Sequence, residues 1–241
     1  MLNRRFESVA VEPRALQARR AVAELFAQKL RELPPAPLDF SALQSWAPLP
    51  GVSELDALRR VAFSAAANQT QLELLWRETL ATAFCAPRVA CEIGAQASVS
   101  AAAALLHRIG DALALATLSR CESEAKVALD APSRATLVAQ QSADLAERTL
   151  RWWGMPAAVG ATALGWRRFG EFPAGPKNCA AVYIAHLLAT EWLQPGIYAP
   201  ETVEAAAGEL GLTASALAAA RPDAEVRARL AKLLGAASSN D

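Results

Sequence analysis

Two histidines, His107 and His186, are the only imidazoles in this 241-residue chain. An imidazole can ligate a divalent metal, move a proton near neutral pH, or serve as a hydrogen-bonded core group. His107 lies in the apolar stretch "AALLHRIGDALAL" and starts the tetrad His107-Arg108-Ile109-Gly110. Its neighbour Arg108 is the wrong type for metal chemistry. A guanidinium has donors only, stays protonated, and adds a positive charge beside any cation. A second cluster is "GWRRF", Gly165–Phe169. Trp166 beside Arg167 and Arg168 offers an aromatic face and two forks for anions, a set that can stack a base and hold a phosphate. The same residues also read as a buried indole and solvated arginines at a helix C-terminus, where cations are favoured.

Other chemistries are excluded by absent motifs. The chain has no phosphate-binding G-x-x-x-x-G-K loop, no dinucleotide fingerprint, no G-x-S-x-G elbow and no zinc-ligand spacing. Cys85, Cys91, Cys121 and Cys179 form no C-x-x-C pair. They read as reduced, mostly buried thiols of a cytoplasmic protein. Asn68-Gln69-Thr70 fits a glycosylation sequon, but nothing else points to secretion. The 24 basic residues balance the 24 acidic ones, so no nucleic-acid partner is expected. No charge-free apolar run of about 18 residues marks a membrane span. The start "MLNRRFESVAVEPR" is broken by acids and a proline and is not a secretory leader.

The elements that must position these groups are helical. Alanine dominates, apolar residues make up 53% of the chain, and no period-2 alternation appears, so the fold is all-α. A first helix over about 14–32 ends at "LPPAPLDF". A proline-rich linker follows over 33–52, and Ser53 reads as the N-cap of "SELDALRRVAFSAAA". The next helix carries Leu72, Leu75, Trp76, Thr79, Leu80 and Ala83 on one face and should kink or end at Pro87. One helix over about 99–119 holds His107, with Leu106, Ile109, Leu113 and Ala116 on one side. After Pro132, Val138, Leu145 and Trp152 recur every seven residues. Gly154 as C′ and Pro156 as N1 then turn the chain into a helix over about 156–168. A helix over about 176–193, two shorter C-terminal helices and a frayed "AASSND" tail complete the reading. The six tryptophans (46, 76, 152, 153, 166 and 192) are expected mainly as core anchors, and an exposed one would mark a partner surface. The domain plan is a helical extension over 1–32, the linker over 33–52, and a helical domain over 53–241, forming one compact unit overall.

Three stretches in order resemble a known family. "LLWRETLATAF" is similar to the helix that carries the first histidine of HD-domain proteins. "ALLHRIGDALAL" is similar to their His-Asp-x-Gly helix. "LAERTLRWWGMPAAVGATALGWRRF" with "CAAVYIAHLLATEW" is similar to the closing helices of the family. Order and spacing over about 53–193 resemble the HDOD branch, a bacterial signalling variety of the HD fold. The resemblance implies an HD-like helical bundle. Only 17 residues separate Pro35 from Ser53, so the N-terminal part is abbreviated relative to a full HDOD domain.

An HD phosphohydrolase uses its His, His-Asp and distal Asp to hold a metal that activates water against a phosphate. On the pairing implied by the resemblance, these positions become Glu78, His107-Arg108 and His186, and the paired-histidine region becomes Trp166-Arg167. Glu78, His107 and His186 are metal-ligating types, but Arg108 is not. Arg108 could pair with Glu78 as a buried latch, or with Asp111 one turn on as an exposed pair. The reading is therefore a non-catalytic signalling adaptor without metal or other cofactor, acting on an unidentified protein partner. The alternatives are a module that binds a phosphate-bearing ligand or nucleotide through Arg108, Trp166 and Arg167, and a residual metallohydrolase using Glu78, His107 and His186.

Overall fold

The computed structural model describes residues 13–33, 52–65, 68–169, 176–198 and 200–236. Most of the proline-rich linker, Trp46, most of the "FGEFPAGP" turn and the C-terminal tail lie outside these residues. The described residues contain helices and no strand. In order they are α1 (Pro13–Arg31), α2 (Val52–Ala62), α3 (Gln69–Ile93), α4 (Ala97–Leu106), α5 (Ile109–Ala125), α6 (Ala131–Trp152), α7 (Ala157–Phe169), α8 (Lys177–Leu193), α9 (Pro200–Glu209), α10 (Ala214–Ala220) and α11 (Ala224–Ala236). The all-α expectation holds.

The centre is built from α3, α4, α5 and α8. α3 lies against α4 and α8, while α5 lies against α6 and α1. Residues 97–125 are apolar and long enough in composition to cross a membrane, yet 89% of the most apolar window is buried inside the fold. Their apolarity is accounted for by a core position. α1 is part of this body: Val22, Phe26 and Leu30 are buried in the main core. The Arg148 guanidinium fastens its C-terminal end by donating to the carbonyls of Leu30 and Leu33, each at 3.3 Å.

Several boundaries differ from expectation. α3 runs through Pro87 to Ile93 without ending. A proline removes one backbone hydrogen bond, but α3 is buried along residues 78–86 between its neighbours, and packing outweighs that loss. α2 begins at Val52, so Ser53 falls in its first turn instead of capping it. The α6–α7 corner is built on Gly154, at φ 64°. The Gly154 N–H donates to Arg151 O at 3.1 Å and the Met155 N–H to Leu150 O at 3.0 Å, closing the last turn in a Schellman arrangement. Pro156 precedes α7 as its cap, its carbonyl accepting from Gly160 N–H at 3.0 Å. This corner draws Trp153 inward and leaves Trp152 61% exposed, so the seven-residue repeat fails at its last member. The described residues after α8 form three helices where two were expected. The additional one, α10, is capped by Thr213, whose hydroxyl accepts from Ala216 N–H at 3.2 Å.

The expected single helix over 99–119 is the most informative difference. It is two helices, broken at His107-Arg108.

Candidate functional site

The break creates the site. Arg108 leaves helical geometry at φ −111° and ψ 12°, and α5 restarts at Ile109. A helix end leaves backbone carbonyls without partners, and here side chains supply them. The His107 ring donates from Nδ1 to Ala104 O at 2.5 Å. The Trp166 indole, brought in by α7, donates from Nε1 to His107 O at 3.1 Å. His107 and Trp166 thus cap α4 together.

Restarting α5 places Asp111 in its first turn, where the helix dipole favours a carboxylate. Arg108 swings across to α3. Its Nη1 donates to Glu78 Oε2 at 3.2 Å and its Nε to Asp111 Oδ2 at 2.5 Å. Both pairings expected as alternatives therefore occur at once. The Asp111 pair is not an exposed one, because the restarted helix turns Asp111 into the interior, 7% exposed. Arg167 on α7 also pairs with Asp111. On its far side Glu78 accepts from Gln194 Nε2 at 2.5 Å. Two guanidinium groups and two carboxylates thus form a neutral lattice across α3, α5 and α7. Burial raises the Asp111 carboxyl, but Arg108 and Arg167 outweigh it and hold the group below the usual carboxylate range. For Glu78 the balance runs the other way: burial raises it more than Arg108 and Gln194 lower it.

The two histidines meet behind this lattice. His107 Nε2 and His186 Nδ1 are 3.3 Å apart, and both side chains are buried. Because His107 Nδ1 donates to a carbonyl, its Nε2 carries the lone pair. His186 must then donate from Nδ1 and keep its own lone pair on Nε2. Burial, with Arg108 and Arg167 close by, lowers His186 to about 3. Burial first, then His186 and Arg108, takes His107 well below its ordinary value. Both rings are neutral at physiological pH. Trp166 completes an edge-on aromatic triad, 4.8 Å from His107 and 4.7 Å from His186 between ring centroids. Arg167 lies over the Trp166 ring at 5.3 Å, so the indole presents no open face for stacking a base. Arg168 is exposed and stands outside the lattice.

Residues 55–164, from α2 into α7, match the family model of the HDOD domain. The HDOD assignment therefore belongs to this segment. No curated protein and no solved structure matches the chain significantly. Glu78, His107, Arg108 and Asp111 fall within the matched region, whereas Trp166, Arg167, His186 and Gln194 lie beyond it. The HDOD segment supplies the broken helix and the lattice core, and the following helices close it.

The residues of this HDOD domain do not fit an HD metal centre. Glu78 already accepts from Arg108 and Gln194. His107 has one ring nitrogen on a carbonyl and the other toward His186. Arg108 brings a positive charge into the same space, where a metal would need a carboxylate. Among the described residues, no group of three or more His, Cys, Asp or Glu is placed to hold a metal ion. Gln194 and the buried role of Asp111 escape sequence reading. Gln194 follows α8 in an irregular conformation and belongs to no motif.

Proposed function

We propose that this HDOD protein is a non-catalytic regulatory adaptor whose helices present a surface to a protein partner. The HDOD family is signalling-associated and of HD-like fold. The observation that carries the reading is the placement of Arg108 between Glu78 and Asp111. A fixed guanidinium there balances buried carboxylates that would otherwise attract a cation. It closes the lattice without leaving an open coordination position. The free cysteines, three of them buried, suit a reducing compartment such as the cytoplasm.

The test is metal uptake with hydrolysis. Purified protein is loaded with excess Mn²⁺, Fe²⁺ or Mg²⁺, desalted, and analysed for metal by elemental analysis. It is then assayed on bis-p-nitrophenyl phosphate and a nucleotide panel. The expected result is metal well below one equivalent and no hydrolysis above buffer. Stoichiometric metal with turnover would overturn the reading.

A further inference from the structure

α1 stands apart from the other helices in sequence and in packing. It precedes the matched HDOD segment, which begins at residue 55. Among the described residues, α5 is the helix it packs against. Its inward stripe is Val22, Phe26 and Leu30, spaced i, i+4 and i+8, and all three side chains are buried. Its outward face, with Arg20, Glu24, Ala27 and Arg31, is exposed. This is the geometry of an amphipathic helix laid into an apolar groove.

The polar ties of α1 are few and face water. Arg19 pairs with Asp130 at 2.5 Å, with side chains 41% and 40% exposed. Lys29 lies 4.0 Å from Glu124, and that pair is exposed as well. Exposed ion pairs contribute little. At the other end the Arg148 guanidinium donates to two carbonyls at 3.3 Å. None of these ties involves the Arg108 lattice. Residues 32–51 join α1 to α2, and a stretch of that length spans up to about 65 Å when extended. Chain connectivity therefore does not hold α1 in place; its apolar stripe does. What α1 covers can be named. Cys121 on α5 is fully buried, and the Lys29 ammonium lies within electrostatic reach of its thiol. Glu124, one turn on, meets the same ammonium. α1 thus passes over the last two turns of α5.

We propose that α1 is a releasable strap: it opens as a unit while the HDOD segment stays folded, and its seat on α5 then takes a helix of the partner protein. The helix now seated sets the chemistry of that occupant. It carries bulky apolar side chains at i, i+4 and i+8, the middle one aromatic, and a basic residue three positions before the first to meet Asp130. The tethered α1 competes for the same seat at high effective concentration, so the partner helix binds only the opened fraction. Elements with few buried contacts and solvent-facing ties open ahead of global unfolding. The inference rests on the adaptor reading and names where the partner docks and what keeps it off.

The test is thiol labelling of the full chain. N-ethylmaleimide is applied in low urea, below the unfolding transition, and each cysteine is followed by mass spectrometry relative to its rate in the unfolded chain. Exposed Cys91 is the internal standard, and buried Cys85 reports global unfolding. Cys121 is expected to react about tenfold or more faster than Cys85, with a shallow urea dependence where that of Cys85 is steep. Phe26→Ala should speed Cys121 by about tenfold or more again. A peptide of residues 13–33 should slow Cys121 in Phe26→Ala back toward the parent rate, and the same peptide carrying Phe26→Asp should not. Equal rates and slopes for Cys121 and Cys85 overturn the strap. Release of α1 without protection by the peptide overturns the docking seat. So does protection that needs no peptide and rises with protein concentration, which marks exchange of α1 between copies. Metal uptake with hydrolysis would remove the adaptor reading whatever α1 does. Cys121 and Cys85 reacting alike on metal-free, inactive protein removes the strap alone.

Discussion

Replacing Gly110 by alanine sets two effects of opposite sign against each other. Gly110 is the second residue of α5, and alanine there improves helix propensity by at most about 1 kcal/mol. The structure opposes the change. A Cβ at this position would lie 1.9 Å from the Ser142 carbonyl oxygen, 2.8 Å from its carbon and 3.0 Å from the Ala146 Cβ. The first two are backbone atoms of α6, and no rotamer change removes them. Ordinary contact begins at 3.4 Å, so α6 must retreat by about 1.5 Å, the difference between 3.4 and 1.9 Å. A gap of even 0.5–1 Å forfeits about a quarter to a half of each atom-pair attraction across the interface. Overpacking of this kind costs about 3 kcal/mol, the upper part of its usual range. The net is a loss of about 2 kcal/mol after the propensity gain. The assay is urea unfolding followed by helical circular dichroism, with the slope unchanged and the midpoint lowered. A variant as stable as the parent, or more stable, would refute the close approach of α5 and α6 and the structural role given to this glycine.

Two further outcomes follow from the histidines and the indole. His186 is lowered to about 3 and His107 lies well below its usual value, so the unfolded chain binds protons that the folded one does not. The His186 contribution is present above pH 6.5 and is lost as pH falls toward about 3, and the His107 contribution is lost in the same direction. Glu78, raised by burial, works in the opposite sense: its contribution is present below its unfolded value and is lost as pH rises through its folded one. Urea midpoints measured from pH 7 to pH 4 should fall steeply, and a flat profile would contradict neutral buried rings. Trp166→Phe removes the donor to His107 O and leaves that buried carbonyl unpaired. Calorimetric or urea unfolding should show a loss of about 2–4 kcal/mol, combining an orphaned acceptor with a small cavity.

Helix type was legible because each segment shows an apolar stripe or an unbroken run of helix formers. The corner at Gly154 was legible because a left-handed residue after a helix is most often glycine. The break at His107-Arg108 was not legible. Residues 101–106 before it are all alanine or leucine, with neither glycine nor proline between Ala97 and Gly110 to signal a stop. The break is maintained by Trp166, nearly 60 residues away, and no local pattern reports such a bond. The juxtapositions of Arg108 with Glu78 and of His107 with His186 could be anticipated only through the family resemblance. Gln194 could not, since a lone amide after a helix carries no distinguishing signal. Pro87 does not end α3, because the hydrogen bond it removes is outweighed by the packing of α3 between α4 and α8.

The neutrality of the lattice makes residue 108 hard to exchange on its own. Glu78, Asp111, Arg108 and Arg167 now sum to no net charge. A carboxylate at position 108 would shift that local charge by two at a stroke. Three acids, two of them buried, would then face the single guanidinium of Arg167. That excess is of the size a divalent cation would balance, so the exchange would make the lattice depend on an ion it does not need now. Arg108 supplies from within the chain the counter-charge that would otherwise have to be recruited from solution.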